Sequence, residues 1–419
     1  MGMEDLPMSW KETCAMKERM QFVLDAQSGR YSMSALCRRY GISRPCGYKW
    51  LERFVQEGLD GLKEKSRAPH TCPHRLDDEL ESLLVLLRRQ NPDWGPRKLV
   101  LEFAKTHPDV VVPAPSTVGD MFKRRGISVP RKKRCRATPS AQPFESCDAP
   151  NKVWCADFKG WFRTLDGTRC DPFTMTDAYS RYLIRCQICE HTGYDTVRDI
   201  MEAAFREFGL PEAIRTDNGA PFASVGLGGL SQLSVWLLRL RIHPERIRPG
   251  NPQENGRHER FHRTLKAATL NPPARTRNAQ QKVFDDFRHK YNEKRPHEAL
   301  SQQTPASVYT YSQREYPARL PEPDYPDWMM VRRVDGGRIK MNSERVFLSK
   351  VLDEEAVGLA SIDSRYSLVF FTTELLGVID HKQQRALRVE QAHKRIPDLQ
   401  EAITTVLRQW RAPLGEQEG

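Results

Sequence analysis

Three acidic residues stand in sequence contexts that suit chemistry. Asp157 lies in the middle of an apolar strand pattern that runs from Trp154 to Phe158. A carboxylate in such a strand is costly unless it is paired or bound to a cation. Asp217 follows a short strand pattern and precedes an Asn-Gly turn, so we expect it at a strand end, where the active sites of layered α/β domains gather. Glu259 lies on a helix pattern further along the chain.

Each of these acids also has an ordinary structural interpretation. Asp217 could form a turn, Asp157 could be an ion-pair partner, and Glu259 could be a surface acid with Arg263 four residues later. Glu254 competes with Glu259, but its place in the first helical turn is explained by the helix dipole. The order of a strand Asp, a strand-end Asp and a helix Glu within one βββαβ unit favours a common site.

The helix pattern around Glu259 also carries basic residues. Glu259, Arg263 and Lys266 stand at positions i, i+4 and i+7, so they share one face of the helix. The same spacing fits a solvated basic face.

Hydrophobic patterns predict the elements that position these residues. The chain has strand patterns at residues 153–162, 173–178, 182–189 and 212–216, and helix patterns at 192–209, 230–240 and 253–269. We therefore predict a central α/β domain over residues 151–310.

Two helix-turn-helix patterns precede this domain, at residues 1–65 and 70–137. In the first, helices at 33–40 and 44–54 are joined by a turn that contains Gly41. Ser32 and Ser34 are candidate caps of the first helix, and Ser43 is the candidate cap of the second. The second of these helices is predicted to pack inward through Tyr48, Leu51 and Val55. The outward basic residues, which we expect to contact DNA, are Arg44, Lys49 and Arg53. In the second pattern the expected DNA contacts are Lys123 and Arg124.

The charge of the chain points to a polyanionic partner. Lys and Arg total 66 against 54 Asp and Glu, which gives a net charge of +12. Eight basic residues lie between Met121 and Ala137, before a linker at 138–150, and we expect Lys132 and Lys133 of this run to contact DNA. A solvated connector would have the same composition. No apolar run approaches the ~20 residues of a membrane helix, and no signal peptide is evident, so we expect a cytoplasmic protein.

The C-terminal part has a different pattern. Short strand patterns about ten residues apart over residues 325–390 predict a small β-barrel. Residues 391–419 are predicted to form a helix and a tail.

Three segments carry a family resemblance. The sequences TDNGAPF (216–222), PGNPQENGRHERFHRTLK (249–266) and YNEKRPHEAL (291–300) resemble those of bacterial insertion-sequence transposases. These proteins have a catalytic core of the retroviral-integrase type, an RNase H-like α/β fold with a mixed sheet and an Asp-Asp-Glu triad. The resemblance implies that Asp157, Asp217 and Glu259 are the catalytic and metal-binding residues. It also leads us to expect that Arg263 and Lys266 face the phosphates of the bound DNA end. The interval between Asp217 and Glu259 exceeds the family's usual length, and Gly226 to Gly229 is the natural place for the extra loop.

The resemblance also implies a function and its partners. The chain would bind the terminal inverted repeats of its own element, nick the 3′ ends and join them to target DNA by phosphoryl transfer with two Mg²⁺ ions, for which Mn²⁺ can substitute. Its partners would be double-stranded DNA, at the element ends and the target, and copies of itself in a homodimer or higher multimer, in a bacterial cytoplasm with the nucleoid and not at a membrane. Two alternatives stay open: a catalytically inactive DNA-binding repressor or element remnant, and a structure-selective nuclease on the same fold.

Overall fold

The fold was analysed in a computed structural model that describes residues 14–65, 76–128, 147–224, 226–246, 256–341 and 344–411. Contacts divide the chain into two compact units, residues 1–77 and 78–419, and each is treated by itself. The finer division into six segments stays a prediction. None of the helices in the described part of the chain has both the length and the apolarity needed to cross a membrane.

The first unit is a three-helix domain that ends in a single 3₁₀ turn. Its helices are α1 (Ala15–Gln27), α2 (Met33–Arg39) and α3 (Arg44–Glu57). The hydroxyls of Ser32 and Ser43 cap α2 and α3 by accepting backbone N–H groups, as the sequence predicts. Gly41 has a φ of +64°, which lets the chain turn sharply between these two helices. The helix-turn-helix prediction is therefore confirmed here.

The predicted inward face of α3 is partly wrong. Tyr48 and Val55 are 53% and 79% exposed, whereas Trp50 is buried and Leu51 is half-buried. The reason is α1, which the sequence analysis did not predict. Its buried Phe22 joins the cluster that contains Trp50, and this rotates the packed face of α3 toward the side that meets α1.

The second unit begins with three more helices. They are α4 (Asp78–Gln90), α5 (Pro96–Thr106) and α6 (Pro115–Arg124). Several polar contacts tie α4, α5 and the loop between them to residues 290–298 of the central domain. Arg97 lies 3.1 Å from Glu298, and Arg295 pairs with Asp93.

The central domain is built on one mixed sheet. Its strands are β1 (Val153–Phe158), β2 (Phe162–Arg163), β3 (Arg169–Asp177), β4 (Leu183–Cys189), β5 (Ala213–Thr216) and β6 (His243–Arg246). The order is β2-β3-β1-β5-β6, and β4 also pairs with β3. β1 is antiparallel to β3 and parallel to β5, and β5 is parallel to β6. The predicted α/β core with a mixed sheet is confirmed.

Helices cover both faces of this sheet. They are α7 (Tyr194–Phe208), α8 (Gln232–Arg239), α9 (Gly256–Thr269), α10 (Arg277–His289), which a π-helical turn extends to Lys294, and the short α11 (Pro305–Val308). Trp154 and Ala156 of β1 point toward α7 and α8 and share a buried cluster with them. Leu265 of α9 and Phe284 of α10 pack with Cys170 of β3 on the opposite face. The intervening residues of β1, including Asp157, therefore point toward the α9 side.

The C-terminal part contains two sheets. Its elements are β7 (Met330–Arg333), β8 (Arg338–Met341), β9 (Glu344–Phe347), β10 (Ala356–Ser361), β11 (Tyr366–Phe371), β12 (Glu374–Asp380), β13 (Arg385–Leu387), α12 (Val389–His393) and α13 (Leu399–Arg411). Five strands pair in the order β13-β12-β11-β10-β7, and β8 pairs with β9. Among the described residues this pairing gives two sheets, and the predicted closed barrel is not shown.

The loop predicted around Gly226 to Gly229 lies on the C-terminal sheet. Leu227 packs in a cluster that also contains Leu376 of β12. A Cβ atom added at Gly228 would come within 2.9 Å of the Leu376 side chain. The extra residues between Asp217 and Glu259 therefore connect the central domain to the sheet that follows it.

Candidate active site

Asp157 lies near the end of β1, half exposed and on the α9 side of the sheet. Its pairing partner across β1 and β3 is Thr174. The Thr174 hydroxyl donates a hydrogen bond of 3.1 Å to the backbone carbonyl of Asp157. Asp157 and Thr174 therefore place a carboxylate and a hydroxyl on the face of the sheet that α9 covers. Their apolar neighbours along the two strands point to the opposite face.

Asp217 lies at the same edge of the sheet. It directly follows β5, which runs parallel to β1 with Cys155 opposite Arg215. If this register continues for two more residues, Asp217 is the residue opposite Asp157, on a strand about 4.8 Å away. The Asp217 carboxylate accepts the backbone N–H of Gly219 at 3.1 Å, which fixes the start of the turn. The two aspartates thus share an edge and a face, as expected for an active site of an α/β sheet.

Two histidines attach α9 to β3. The Nε2 atoms of His258 and His262 each lie 2.8 Å from the Thr174 hydroxyl oxygen. The Nδ1 atom of His258 lies 3.4 Å from the Thr176 hydroxyl. His258 is only 2% exposed. The helix that carries Glu259 is therefore held against the strand that pairs with Asp157.

Both imidazoles are neutral at physiological pH. Burial lowers the pKa of His258 to about 4. Burial is the main cause that lowers the pKa of His262 to about 2, and the neighbouring His258 and Lys159 lower it further. Since the single Thr174 hydroxyl proton is directed at Asp157, Thr174 accepts both Nε2–H groups, and His258 accepts the Thr176 hydroxyl at Nδ1. The network thereby satisfies both nitrogens of His258.

One group of possible metal ligands occurs within the described residues. It consists of Asp157, His258 and His262, whose ligand atoms lie within 4.8 Å of one another. The predicted triad is not this group, because Asp217 and Glu259 are not part of it. Both imidazoles already bond Thr174, so we assign them to holding α9 in place. The carboxylate of Asp157 in this group, and that of Asp217 after β5, are oxygen donors of the kind that the sequence analysis expects to bind metal.

Glu259 follows His258 on α9 and is exposed. Residues three apart on a helix are neighbours, so Glu259 lies beside His262, at the solvent border of the group around Asp157. Arg263 and Lys266 are also exposed on this flank of α9. Glu254 lies outside the described residues, as do Lys132 and Lys133.

The basic residues predicted for the first helix-turn-helix have different surroundings. Arg44 and Lys49 are exposed on α3, whereas Arg53 is half-buried. The Lys49 ammonium lies 4.5 Å and the Arg53 guanidinium 5.1 Å from the centroid of the Trp50 ring. Arg53 therefore contributes to packing as well as to surface charge.

The basic residues predicted for the second helix-turn-helix have acidic partners. Lys123 pairs with Asp120 on the same helix at 2.8 Å. Arg124 and Arg125 lie 3.4 and 2.6 Å from the carboxylate of Glu81, which is 4% exposed. A buried carboxylate needs such partners, so Arg124 has a structural role in joining α6 to α4.

Comparison with known proteins places this architecture in a family. Models of the integrase core domain match residues 148–252 and 240–305, a helix-turn-helix model matches 18–70, and a homeodomain-like model matches 46–121. A 39.2 kDa protein of insertion element IS476 from Xanthomonas euvesicatoria is 32% identical over 59% of this chain and 69% of its own length. The chain belongs to the insertion-sequence transposases.

Two further relatives agree with this assignment. A 31.7 kDa protein of insertion element IS407 from Burkholderia multivorans is 26% identical to this chain. The match covers 59% of this chain and 87% of the Burkholderia protein. The transposase of insertion sequence IS904 from Lactococcus lactis is 29% identical over 46% of this chain and 72% of its own. The transposase thus combines helix-turn-helix domains with an integrase core, a type of core that binds divalent metals and implies polynucleotidyl transferase chemistry.

The sequence analysis did not identify His258 and His262 as residues that position α9. The spacing of His258 and His262, four residues apart on one helix face, was a signal for a shared partner. That partner, Thr174, is 84 residues from His258 in the chain, so no local spacing connects the two residues. Lys159 was missed as well, two residues after Asp157.

Proposed function

We propose that this transposase binds the terminal inverted repeats of its element, nicks the DNA at the 3′ ends and joins the new ends to target DNA. The observation that supports the proposal is the parallel pairing of β1, which carries Asp157, with β5, which Asp217 follows, together with the contact between Thr174 and His258 that holds the helix of Glu259 on β3. Three carboxylates around one edge would bind divalent cations, and such cations balance the negative charge of a phosphoryl group during its transfer.

The proposed metal ligands are Asp157, Asp217 and Glu259. Carboxylate oxygens are the donors that Mg²⁺ prefers, and Mn²⁺ accepts the same donors. The imidazoles, which would favour a softer metal, are engaged by Thr174. The donor set therefore fits Mg²⁺, with two ions proposed and Mn²⁺ as a substitute. A bound divalent ion supplies Lewis-acid stabilisation of the charge on a reacting phosphate.

The protein residues bind and orient the DNA strands and take no covalent part. In the first reaction water attacks the phosphorus at the element end, the P–O3′ bond breaks, and the element gains a free 3′-hydroxyl. In the second reaction this hydroxyl attacks a target phosphodiester and displaces a target 3′-hydroxyl. The neutral His258 and His262 hold α9, so that Glu259 stays at the edge of the sheet through both reactions.

The DNA contacts are proposed on several parts of the chain. The helix-turn-helix units would read the inverted repeats, and the linker and α9 would follow the phosphates. The proposed residues are Arg44, Lys49, Arg53, Lys123, Arg124, Lys132, Lys133, Arg263 and Lys266. Because two element ends must react together, we propose a homodimer or a higher multimer as the active form, with target DNA as the further partner.

The test uses purified full-length protein, labelled duplexes that carry the element end, and Mg²⁺. Joined products that depend on the end sequence would support the transposase. Sequence-dependent binding without any cleavage would instead identify a repressor or element remnant. Cleavage that ignores the end sequence would identify a nuclease.

A further inference from the structure

Trp161 is a tryptophan that the fold leaves in water. It is 58% exposed, whereas the other tryptophans in the described part of the chain are buried or half-buried. Aromatic side chains of this size dominate the energetics of cores and interfaces because each can bury a large apolar area. The exposed ring of Trp161 is therefore available to a partner from outside the chain.

The hairpin of β2 and β3 holds this ring on a fixed support. Phe162, the next residue, packs against the buried cluster that contains Leu265 of α9. At the tip of the hairpin, the backbone N–H of Leu165 donates to the carbonyl of Ala274 at 3.1 Å. A side chain on a support that is already ordered loses little freedom when a partner binds. Trp161 is thus a preformed apolar platform.

Two arginines flank the ring of Trp161. Arg163 and Arg169 lie opposite each other in the pairing of β2 with β3, and like charges in that relation repel. Their Cζ atoms lie 5.9 and 5.3 Å from the centroid of the Trp161 ring. Asp171 pairs with Arg169 at 2.8 Å, whereas Arg163 donates to the carbonyl of Gly167 at 2.7 Å. An anionic group beside Trp161 would relieve the repulsion between the two arginines.

The ring lies close to the candidate active site. Trp161 is four residues beyond Asp157, which is at most about 13 Å along the strand. Phe162 packs on the α9 side of the hairpin, so Trp161 and Arg163, its two neighbours in the chain, lie on the other side. The platform is therefore separate from the basic flank of α9. Since each DNA strand rises about 3.4 Å per nucleotide, the platform reaches nucleotides within about four positions of a phosphate at Asp157.

We propose that Trp161 stacks on an unpaired base of the element end next to the reacting phosphate, and that Arg163 binds the phosphate of the same nucleotide. Every base has a π face, so an aromatic ring binds an unpaired base whatever its identity. The bases inside a continuous duplex stack on one another and offer no such face. A base held by Trp161 would keep the duplex open beside the place of reaction. The proposal rests on the proposed function, since it takes Asp157 to be part of that place.

The test varies the base and the ring together. Duplexes of the element end are fully paired, or carry one mismatched base or one abasic site, at each of the four positions on either side of the cleavage site. Full-length proteins are titrated with these duplexes in EDTA, and joining is measured in Mg²⁺. The variants are Trp161→Ala, Trp161→Phe and Arg163→Gln, with Phe347→Ala, a 51% exposed aromatic residue of β9, as the matched control. Sedimentation measures the oligomeric state, and thermal unfolding checks that each variant is folded.

The expected result is a dependence on the base at one position. Wild type should bind the mismatched duplex there about tenfold more tightly than the abasic one, because the abasic site has no base to stack. Trp161→Ala should abolish this ratio, Trp161→Phe should keep most of it, and Phe347→Ala should keep all of it. Arg163→Gln should keep the ratio and lower the salt slope of binding by about one.

The outcomes separate this proposal from the proposed function. Equal affinities of wild type for mismatched and abasic duplexes at every position would overturn the base site, even if joining proceeds. A ratio that persists in Trp161→Ala would overturn it as well. If that variant also lost the multimer, the ring would belong to a contact between copies of the chain. A ratio that depends on Trp161 in EDTA, without joining by wild type in Mg²⁺, would support the base site and reject the proposed reaction.

Discussion

Asp157 lies directly opposite Thr174 in the pairing of β1 with β3, and the Thr174 hydroxyl bonds the Asp157 backbone. The same hydroxyl oxygen contacts His258 and His262 at 2.8 Å. One buried threonine therefore joins the first carboxylate strand to the helix of Glu259. This contact fixes the position of α9 relative to β3. A substitution of Thr174 therefore tests how strongly the site depends on that position.

Replacing Thr174 by Val keeps the shape and removes the hydroxyl. Two buried Nε2–H groups then lose their acceptor, so we expect the protein to lose about 1–3 kcal/mol of stability. Strand joining should fall about tenfold because α9 is held less firmly. Urea unfolding and a joining assay measure the two effects. Thr404→Val, the same change at an exposed site on α13, should alter neither.

His258 should make stability depend on pH. Its folded pKa of about 4 lies below the ordinary value near 6.5, so the unfolded chain binds the proton more readily. The stabilisation is complete above pH 6.5 and is lost as the pH falls toward 4, by up to about 1.4 kcal/mol per pH unit. Urea midpoints between pH 4.5 and 7 should show this slope, and His258→Gln should reduce it. His191→Gln, at an exposed position, controls for the loss of an imidazole.

Changing the proposed triad should abolish joining without abolishing binding. For Asp157→Asn, Asp217→Asn and Glu259→Gln we expect joining to fall by ~10³, equivalent to about 4 kcal/mol of transition-state stabilisation. Binding of the element end should stay within about twofold, and a double variant should be hardly worse than a single one. Glu254→Gln, five residues before Glu259 in the chain, is the control and should keep most activity. If the Glu259→Gln variant kept full joining activity, Glu259 would not belong to the active site.

The packing of α3 on α1 and α2 depends on Gly47. A Cβ atom there would come within 2.9 Å of Cys37 Sγ and of Phe22 Cζ. Gly47→Ala should therefore destabilise the first unit by about 1–3 kcal/mol and weaken binding of the element end. Gly119→Ala on α6 meets only Pro96, at an ordinary 3.5 Å, and should leave stability unchanged or raise it by about 0.5–1 kcal/mol. Thermal unfolding compares the two.

Specific binding should depend on the exposed residues of α3. Arg44→Gln and Lys49→Gln should each weaken binding of the element end and lower its salt slope by about one per lost phosphate contact. Anisotropy titrations over a salt series measure this. Lys65→Gln, which removes a partner of Glu57 instead, is the matched control. Unchanged affinity for both α3 variants would locate DNA recognition elsewhere.

Local signals predicted the parts of the fold that local interactions determine. Ser32, Gly41 and Ser43 fixed the ends of α2 and α3 because caps and turns act within a few residues. The buried face of α3 was misjudged because it depends on Phe22, which lies in a separate helix. Strand β6 was missed because its sequence has no apolar alternation, and it forms by pairing with β5.

The candidate site also has features that local sequence signals predict and features that depend on distant contacts. The positions of Asp157 and Asp217 followed from strand patterns, because the carboxyl ends of parallel strands meet at one edge. The attachment of α9 could not be predicted, since it depends on Thr174 and Thr176 on a distant strand. The closed barrel was predicted from strand spacing, which does not determine whether the last strand pairs with the first.

The loop around Leu227 has a consequence for recombination between insertion sequences that exchanges domains of their transposases. Leu227 and Leu230 lie between Asp217 and α9, and they share one apolar cluster with Leu376 and Ile379 of the C-terminal sheet. Arg239 adds an ion pair with Glu355 across the same boundary, at 2.9–3.0 Å. A recombination that replaces the core but keeps the old C-terminal sheet would leave this cluster mismatched. The core and the sheet should therefore be inherited together, while the first helix-turn-helix, a separate compact unit, can change independently of them.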